Sequence, residues 1–343
     1  MRSNLLMIVI PLLVLSCTNK EDGYTPPTFP VEKNVEAVLL SDDLLMNYAY
    51  GMCVDNKFVY VLALSENRWV QVYDKNNGKY VGSYVPQGQG PEELTMGINM
   101  TIDNENHTLS IYDEQLRKLL VYSIDNEKDT LKMSLQGSKD FSQYIGVVRN
   151  TWKLKEDNYL VDGQLGGKGT EQKRFQWLAS EEVVDSFNTF PVKGFETEKA
   201  FISPKITFSP SREKMASGIL FGAILETFTL SDKNIKLINT QKFYPPKVRK
   251  MNGGIRPDAD MMYGFASLCS TEDKIYAVWV GDKNPDVPNS IAIFNWNGEE
   301  QVRFQTEHLI FMIAVDEDDP MKLYALVYDY EKGFSLVYFS VED

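Results

Sequence analysis

The sequence predicts an all-β protein, a six-bladed β-propeller of four-stranded antiparallel blades closed by an N-terminal strand in the last blade. Three observations carry that prediction. Helical periodicity is nearly absent, and short runs rich in Val, Ile, Tyr, Phe and Leu alternate with turns of Asn, Asp, Gly and Lys. The runs recur in units of roughly 40–60 residues, the period of propeller blades. The last unit is one strand short, and the start of the folded region holds a spare one.

The first unit, "GMCVDNKFVYVLALSENRWVQVYDKNNGKYVGSYV", spells four strands near Gly51–Val54, Phe58–Leu64, Trp69–Tyr73 and Tyr80–Val85. Its turns carry "DNK", "SENR" and "KNNGK", residues that accept tight turns or bond their own backbone. "TIDNENHTLSIYD" repeats the grammar in the second unit, and "FASLCSTEDKIYAVWVG" repeats it in the fifth. The third and fourth units, from "VVRNTWKLKEDNYLVDGQ" and "KITFSPSREKMASGILFGAILETFTL", follow it less regularly. The sixth offers three strands, about Phe311–Val315, Leu323–Tyr328 and Ser335–Val341, before the sequence stops at Asp343. "NVEAVLL", Asn34–Leu40, precedes the first unit and supplies the fourth. Pairing it beside Ser335–Val341 closes the ring and covers an exposed edge.

The N-terminus reads "MRSNLLMIVIPLLVLSCTNKED". Arg2 followed by the apolar run Leu5–Leu15 has signal-peptide length and is too short for a membrane span, which needs about 20 residues. "Val-Leu-Ser-Cys" resembles the bacterial lipobox and assigns Cys17 as the lipidated residue. Residues 1–16 are then a removed signal peptide, 17–33 a tether containing "TPPTFP", and 34–343 a single propeller domain. Lys20-Glu21-Asp22 resembles an export signal that sends lipoproteins to the outer face of the outer membrane; a periplasm-facing anchor is the alternative. Several acyl chains make a firm membrane attachment. The remaining cysteines, Cys53 and Cys269, sit in strand-like runs of non-adjacent units and read as buried free thiols.

The formal charge of −13, from 35 Lys+Arg against 48 Asp+Glu, repels nucleic-acid phosphates, and no basic run offsets it. Only His107 and His308 are present, in different units, with no Cys at metal spacing and no G-x-S-x-G elbow. Acidic stretches such as "VDEDDP", Val315–Pro320, fail the EF-hand pattern and read as turn formers. No cofactor is expected. A calcium ion in the central channel stays open as a reading, since its ligands would come from different blades.

"YVPQGQGPEELT", Tyr84–Thr95, is rich in glycine but lacks the Lys-Ser/Thr of a phosphate loop and carries the wrong charge. It reads as the crossing from one blade to the next. "GSYVPQGQGPEEL" resembles the signature of the TolB-like six-bladed propeller lipoproteins, as "YGFASLCSTEDKIYAVWVG" and "AVDEDDPMKLYALVYD" resemble their last two blades. That resemblance implies the fold and lipoprotein export. Glu92 stands where the family pattern has a second glycine, so the turn must form without a left-handed residue there.

The longest connection, "PPKVRKMNGGIRPDADMMYG", Pro245–Gly264, joins the fourth and fifth units. Its local positive charge in an acidic chain suits a carboxylate or an acidic sugar, making Arg249, Arg256, Asp258, Asp260 and Tyr263 the expected ligand-binding residues. "SPSREKMASG", with Arg212 and Lys214, is a weaker version of the same idea, and the tryptophans read as core. The expectation is a lipid-anchored envelope propeller that binds a protein or glycan ligand without catalysis. The alternative is a metal-assisted hydrolase or lyase with an acidic site at the central channel.

Overall fold

A computed structural model describes residues 23–42, 44, 46–126, 131–166 and 173–342. Cys17, the signal peptide and the first part of the expected tether lie outside the described residues.

Six sheets form the ring. Blade 1 comprises Gly51–Val54, Phe58–Ser65, Arg68–Asp74 and Tyr80–Pro86; blade 2 comprises Gly97–Asp103, Thr108–Asp113, Lys118–Asp125 and Lys132–Asp140. Blade 3 holds Gly146–Lys153, Asn158–Leu165, Phe175–Ala179 and Glu182–Phe187, and blade 4 holds Lys205–Phe208, Lys214–Ile219, Ile224–Ser231 and Asn234–Lys242. Blade 5 contains Phe265–Ser270, Lys274–Trp279, Ser290–Asn295 and Glu300–Gln305; blade 6 contains Leu309–Val315, Lys322–Asp329 and Gly333–Ser340.

The second strand of a blade is buried on both faces, which is why it reads as an unbroken apolar run rather than as an alternation. In Phe58–Ser65, Tyr60 and Leu62 pack toward Leu109 and Ile111 of blade 2. Val59, Val61 and Ala63 pack the other way, against Tyr324 and Leu326 of blade 6. The same division repeats around the ring, so each neighbouring pair of blades shares one apolar cluster. Between blades 3 and 4 the contact also has a polar rivet. The buried guanidinium of Arg174 donates to Glu226 at 2.5 Å and to Ser217 at 3.0 Å.

The closing strand is Ala37–Ser41, antiparallel to Gly333–Ser340, with Val38 opposite Tyr338. The expected closure is therefore present, with a second element that the sequence did not announce. Val31–Asn34 runs parallel to Glu300–Gln305 as a fifth strand of blade 5, Val31 opposite Val302. Arg303 donates to Glu32 at 2.9 Å across this pairing. Ahead of it, Phe29 is buried among Trp279 and Phe294, and the Thr25 N–H donates to the Lys242 carbonyl at 2.9 Å. The part of the expected 17–33 tether that is described is thus docked across blades 4 and 5. The body of the domain begins before residue 34, because an aromatic pocket and an open sheet edge are both available to hold this segment.

Cys53 and Cys269 are free thiols in blades 1 and 5, and burial raises the pKa of both. Among the described residues no helix is long and apolar enough to cross a membrane.

Candidate functional site

The innermost strand of every blade runs in the same sense, so their N-terminal ends gather at one end of the central channel and their C-terminal ends at the other. The connections at the two ends differ. Short turns follow the C-terminal ends. Long connections, residues 188–204 and 243–264, feed the N-terminal ends of blades 4 and 5 and stack on each other through Val192, Phe195, Phe201, Val248 and Ile255.

At the N-terminal end the channel opens into a cavity of about 920 Å³. Its walls are about half apolar, the apolar part coming from Tyr48, Tyr50 and Met52 of the entry and inner strand of blade 1, Met96, Ile98 and Met100 of blade 2, and Ile310–Ile313 of blade 6. Tyr48 lies edge-on to Tyr50 and to Phe311, with ring centroids 4.9 and 5.2 Å apart, forming an aromatic lip. Met52, Asn99, Met100, Trp152, Ile206 and Leu268 also border the smaller space beyond, about 130 Å³, and form a waist between the two.

Two charged groups on inner strands give this mouth its electrostatic character. Arg149 of blade 3 donates from Nε and from a terminal nitrogen to Asp162 Oδ1, at 2.8 and 2.5 Å. Burial raises the Asp162 carboxyl to about 6, a shift that Arg149 and Arg174 oppose but do not cancel. Lys205, the first residue of the inner strand of blade 4, is solvent-exposed at the cavity, with protein crowded on the other sides of its ammonium. That desolvation lowers its pKa. It has no hydrogen-bond or ion-pair partner among the described residues.

The far end is narrower and is laced by polar contacts between blades. Arg212, in the turn after the blade 4 inner strand, donates to the Ile102 carbonyl of blade 2 at 2.6 Å. Lys75 and Asp316, from blades 1 and 6, pair at 2.5 Å while almost fully buried, and Asn104 donates to Glu317 at 3.1 Å. The acids of these turns act as the sequence suggested. Asp55 Oδ1 accepts from the Lys57 and Phe58 N–H groups at 2.7 and 2.6 Å, Asp103 Oδ1 accepts from Asn106 N–H, and Asp316 Oδ1 accepts from Asp318 N–H.

The glycine-rich stretch is likewise a connector. Glu93 turns its carboxylate back onto the Gly90 N–H at 2.7 Å, and Gly88 packs so closely on it that a Cβ there would lie 1.9 Å from Glu93 Oε2. Gly88 lacks positive φ, and a Cβ there would push the flexible Glu93 side chain off its bond to Gly90. Glu92 also lacks positive φ, so the departure from the family pattern is accommodated.

The residues expected to bind ligand in 245–264 are not brought together at one point. Val248–Met251 and Gly254–Pro257 form a hairpin with Arg249 directly opposite Arg256. Arg249 donates to Asp258 at 2.6 Å and Lys247 to Asp260 at 2.8 Å, so much of the positive charge is neutralised locally. Arg256 is exposed on the solvent face, whereas Tyr263 is buried edge-on to Phe221, 5.5 Å between centroids. His107 and His308 lie in different blades. Among the described residues no three His, Cys, Asp or Glu side chains converge to hold a metal ion, so the calcium and metal-hydrolase readings have no assembled ligand set there.

Arg149, Asp162 and Lys205 were not singled out in the sequence. The available signal was a charged residue at the start of an inner strand, as in "KITF", where the pattern otherwise calls for apolar or neutral side chains.

A family model described as TolB-like 6-blade propeller-like matches residues 28–318. Among solved structures, the chain is similar to a candidate exported protein from Bacteroides fragilis at 13% identity and TM-score 0.55, covering 90% of this chain and 98% of that one. It is also similar to a member of the DUF4221 family from Bacteroides vulgatus, at 10% identity and TM-score 0.53 over 90% and 98% of the two chains. A luciferin-regenerating enzyme matches at 10% identity and TM-score 0.51 over 89% and 95%. No curated protein matches the sequence. At these identities the structural likenesses establish a shared fold and carry no activity with them.

Proposed function

The chain belongs to the TolB-like six-bladed propeller family, and we propose that it is a lipid-anchored, non-enzymatic binding module of the cell envelope whose ligand enters the wide mouth of the channel. One observation carries this reading: a roomy cavity, lined about equally by polar and apolar surface, stands at one end of a channel that narrows to a much smaller space toward the other. The wide mouth is the roomier entrance, and the two long connections beside blade 4 form part of the rim that a ligand must pass. The "Val-Leu-Ser-Cys" motif supports attachment through Cys17, and Lys20-Glu21-Asp22 supports display on the outer face of the outer membrane.

Two experiments test the proposal. Cys17→Ala moves the protein from the membrane to the soluble fraction; unchanged membrane association contradicts the anchor. A glycan, peptide and small-solute binding screen then uses the wild type beside Ser203→Trp and Ala266→Trp, two substitutions that fill the wide mouth. A ligand held in the cavity loses affinity for both while the folded fraction is unchanged. A ligand that binds all three proteins equally places the site elsewhere.

A further inference from the structure

The charge around the wide mouth runs against that of the whole chain. The formal net charge is −13, yet the charged side chains lining the cavity are Arg149, Lys199 and Lys205 against Glu114 and Asp162, three cations to two anions. Arg149 and Asp162 satisfy one another. Glu114, Lys199 and Lys205 are all solvent-exposed, but only Lys205 stands on an inner strand of the ring. Lys205 is left on the inner wall without a counter-ion, beside the apolar waist residue Ile206 and across the channel from Met52 and Met100. An ammonium beside the channel wall with no counter-ion is free to make a charge-assisted contact with an incoming anion.

We propose that the cavity takes an anionic ligand with an apolar body, a carboxylate or similar acid, whose charge pairs with Lys205 while its apolar part lies against the aromatic lip and the waist. The inference rests on the reading of the cavity as the binding site and adds the chemical class of ligand. Lys205 supplies the discrimination by charge; the apolar walls supply contact area that any isostere shares. A cation of the same shape meets an unpaired ammonium and is rejected.

The test is a titration of the full chain in detergent with three probes of one shape: 2-naphthoate, neutral 2-naphthamide and cationic 2-naphthylmethylammonium. The wild type is expected to bind the anion about tenfold more tightly than the amide, the order for one charge-assisted contact. The cation is expected to bind more weakly than the amide. Lys205→Met keeps the stem and removes the charge, so it lowers affinity for the anion to that for the amide and leaves the amide unchanged. Lys205→Arg retains the preference. Comparing variants at the same detergent concentration cancels micelle partitioning. If anion and amide bind equally, with affinity lost in Ser203→Trp, the charge inference fails and the cavity reading stands. If Lys205→Met keeps the full preference for the anion, Lys205 is not the discriminating group and the inference is likewise overturned. If none of the three probes binds, the inference and the cavity reading fall together.

Discussion

The two ends of the channel are made from the same six strands and differ in what their side chains do. At the narrow end, polar groups are spent on structure. Arg212 reaches across to a blade 2 carbonyl, Lys75 and Asp316 join blades 1 and 6, and the turn acids cap their own backbone. At the wide end, Lys205 is unpaired, the Arg149–Asp162 pair faces open space, and methionine and aromatic side chains line a wall with nothing against it. Short turns can be satisfied internally, whereas long connections raise a rim and leave the strand ends beneath them free. The lesson is that partnerless polar groups, more than local charge density, distinguish a binding end from a structural one. The 245–264 connection is also strongly charged, yet Lys247 and Arg249 pair with its own Asp260 and Asp258, and Lys250 pairs with Glu198.

The most drastic way to break the comparison is to open the ring, since both ends depend on it. Deleting residues 18–41 removes the closing strand and Phe29 together, and is expected to cost more than the roughly 3–5 kcal/mol of a buried Phe truncation alone. Deleting 18–30 removes Phe29 but leaves the closing strand, so it gives an intermediate loss in urea unfolding. Equal stabilities for that deletion and the wild type would show that the docking of Phe29 contributes nothing.

At the narrow end, Asp316→Ala leaves the buried Lys75 ammonium without its partner and should destabilise the fold by about 3 kcal/mol. A loss below about 0.5 kcal/mol, the level of an ordinary surface change, contradicts a structural role for that end.

At the wide end, Asp162 predicts a pH dependence of the opposite kind to a paired surface acid. Its folded pKa, about 6, lies above the ordinary value of 3.8, so the folded state holds the proton more tightly than the unfolded state. The contribution of this group is therefore greatest below pH 3.8, falls as pH rises toward 6, and is level above that. The fall is on the order of 2–3 kcal/mol. Stability measured against pH for the wild type and Asp162→Asn should diverge across that window; a constant difference contradicts the shift. The smallest effect on stability belongs to Lys205→Met, expected within about 0.5 kcal/mol of the wild type. A large destabilisation would make Lys205 a structural residue and erase the contrast between the two ends.

The sequence makes the ring legible because blades impose two strong signals, apolar second strands and turn acids at a fixed place in the repeat. The closing strand follows from counting strands. Val31–Asn34 was not legible: its four residues, "VEKN", are exposed, and backbone pairing at an open edge leaves no alternation to read. The hairpin at 248–257 carried a usable turn signal in "NGG" between short strand-like runs, but pairing of its charges depends on which face each residue takes. The wide mouth was the least legible part. Its lining comes from six inner strands far apart in sequence, and a lone lysine at the start of "KITF" gains meaning only once the ring places it on the channel wall. The Arg149–Asp162 pair is hidden further by the register shift after Val148, which changes which residues stand opposite one another.

The most direct test of the account is a crystal structure of the protein grown with saturating 2-naphthoate. The account predicts the naphthyl ring in the wide mouth against the aromatic lip, with its carboxylate within hydrogen-bonding distance of Lys205 Nζ. Ordered ligand at the narrow end or on the 248–257 hairpin, with the wide mouth empty, would contradict it.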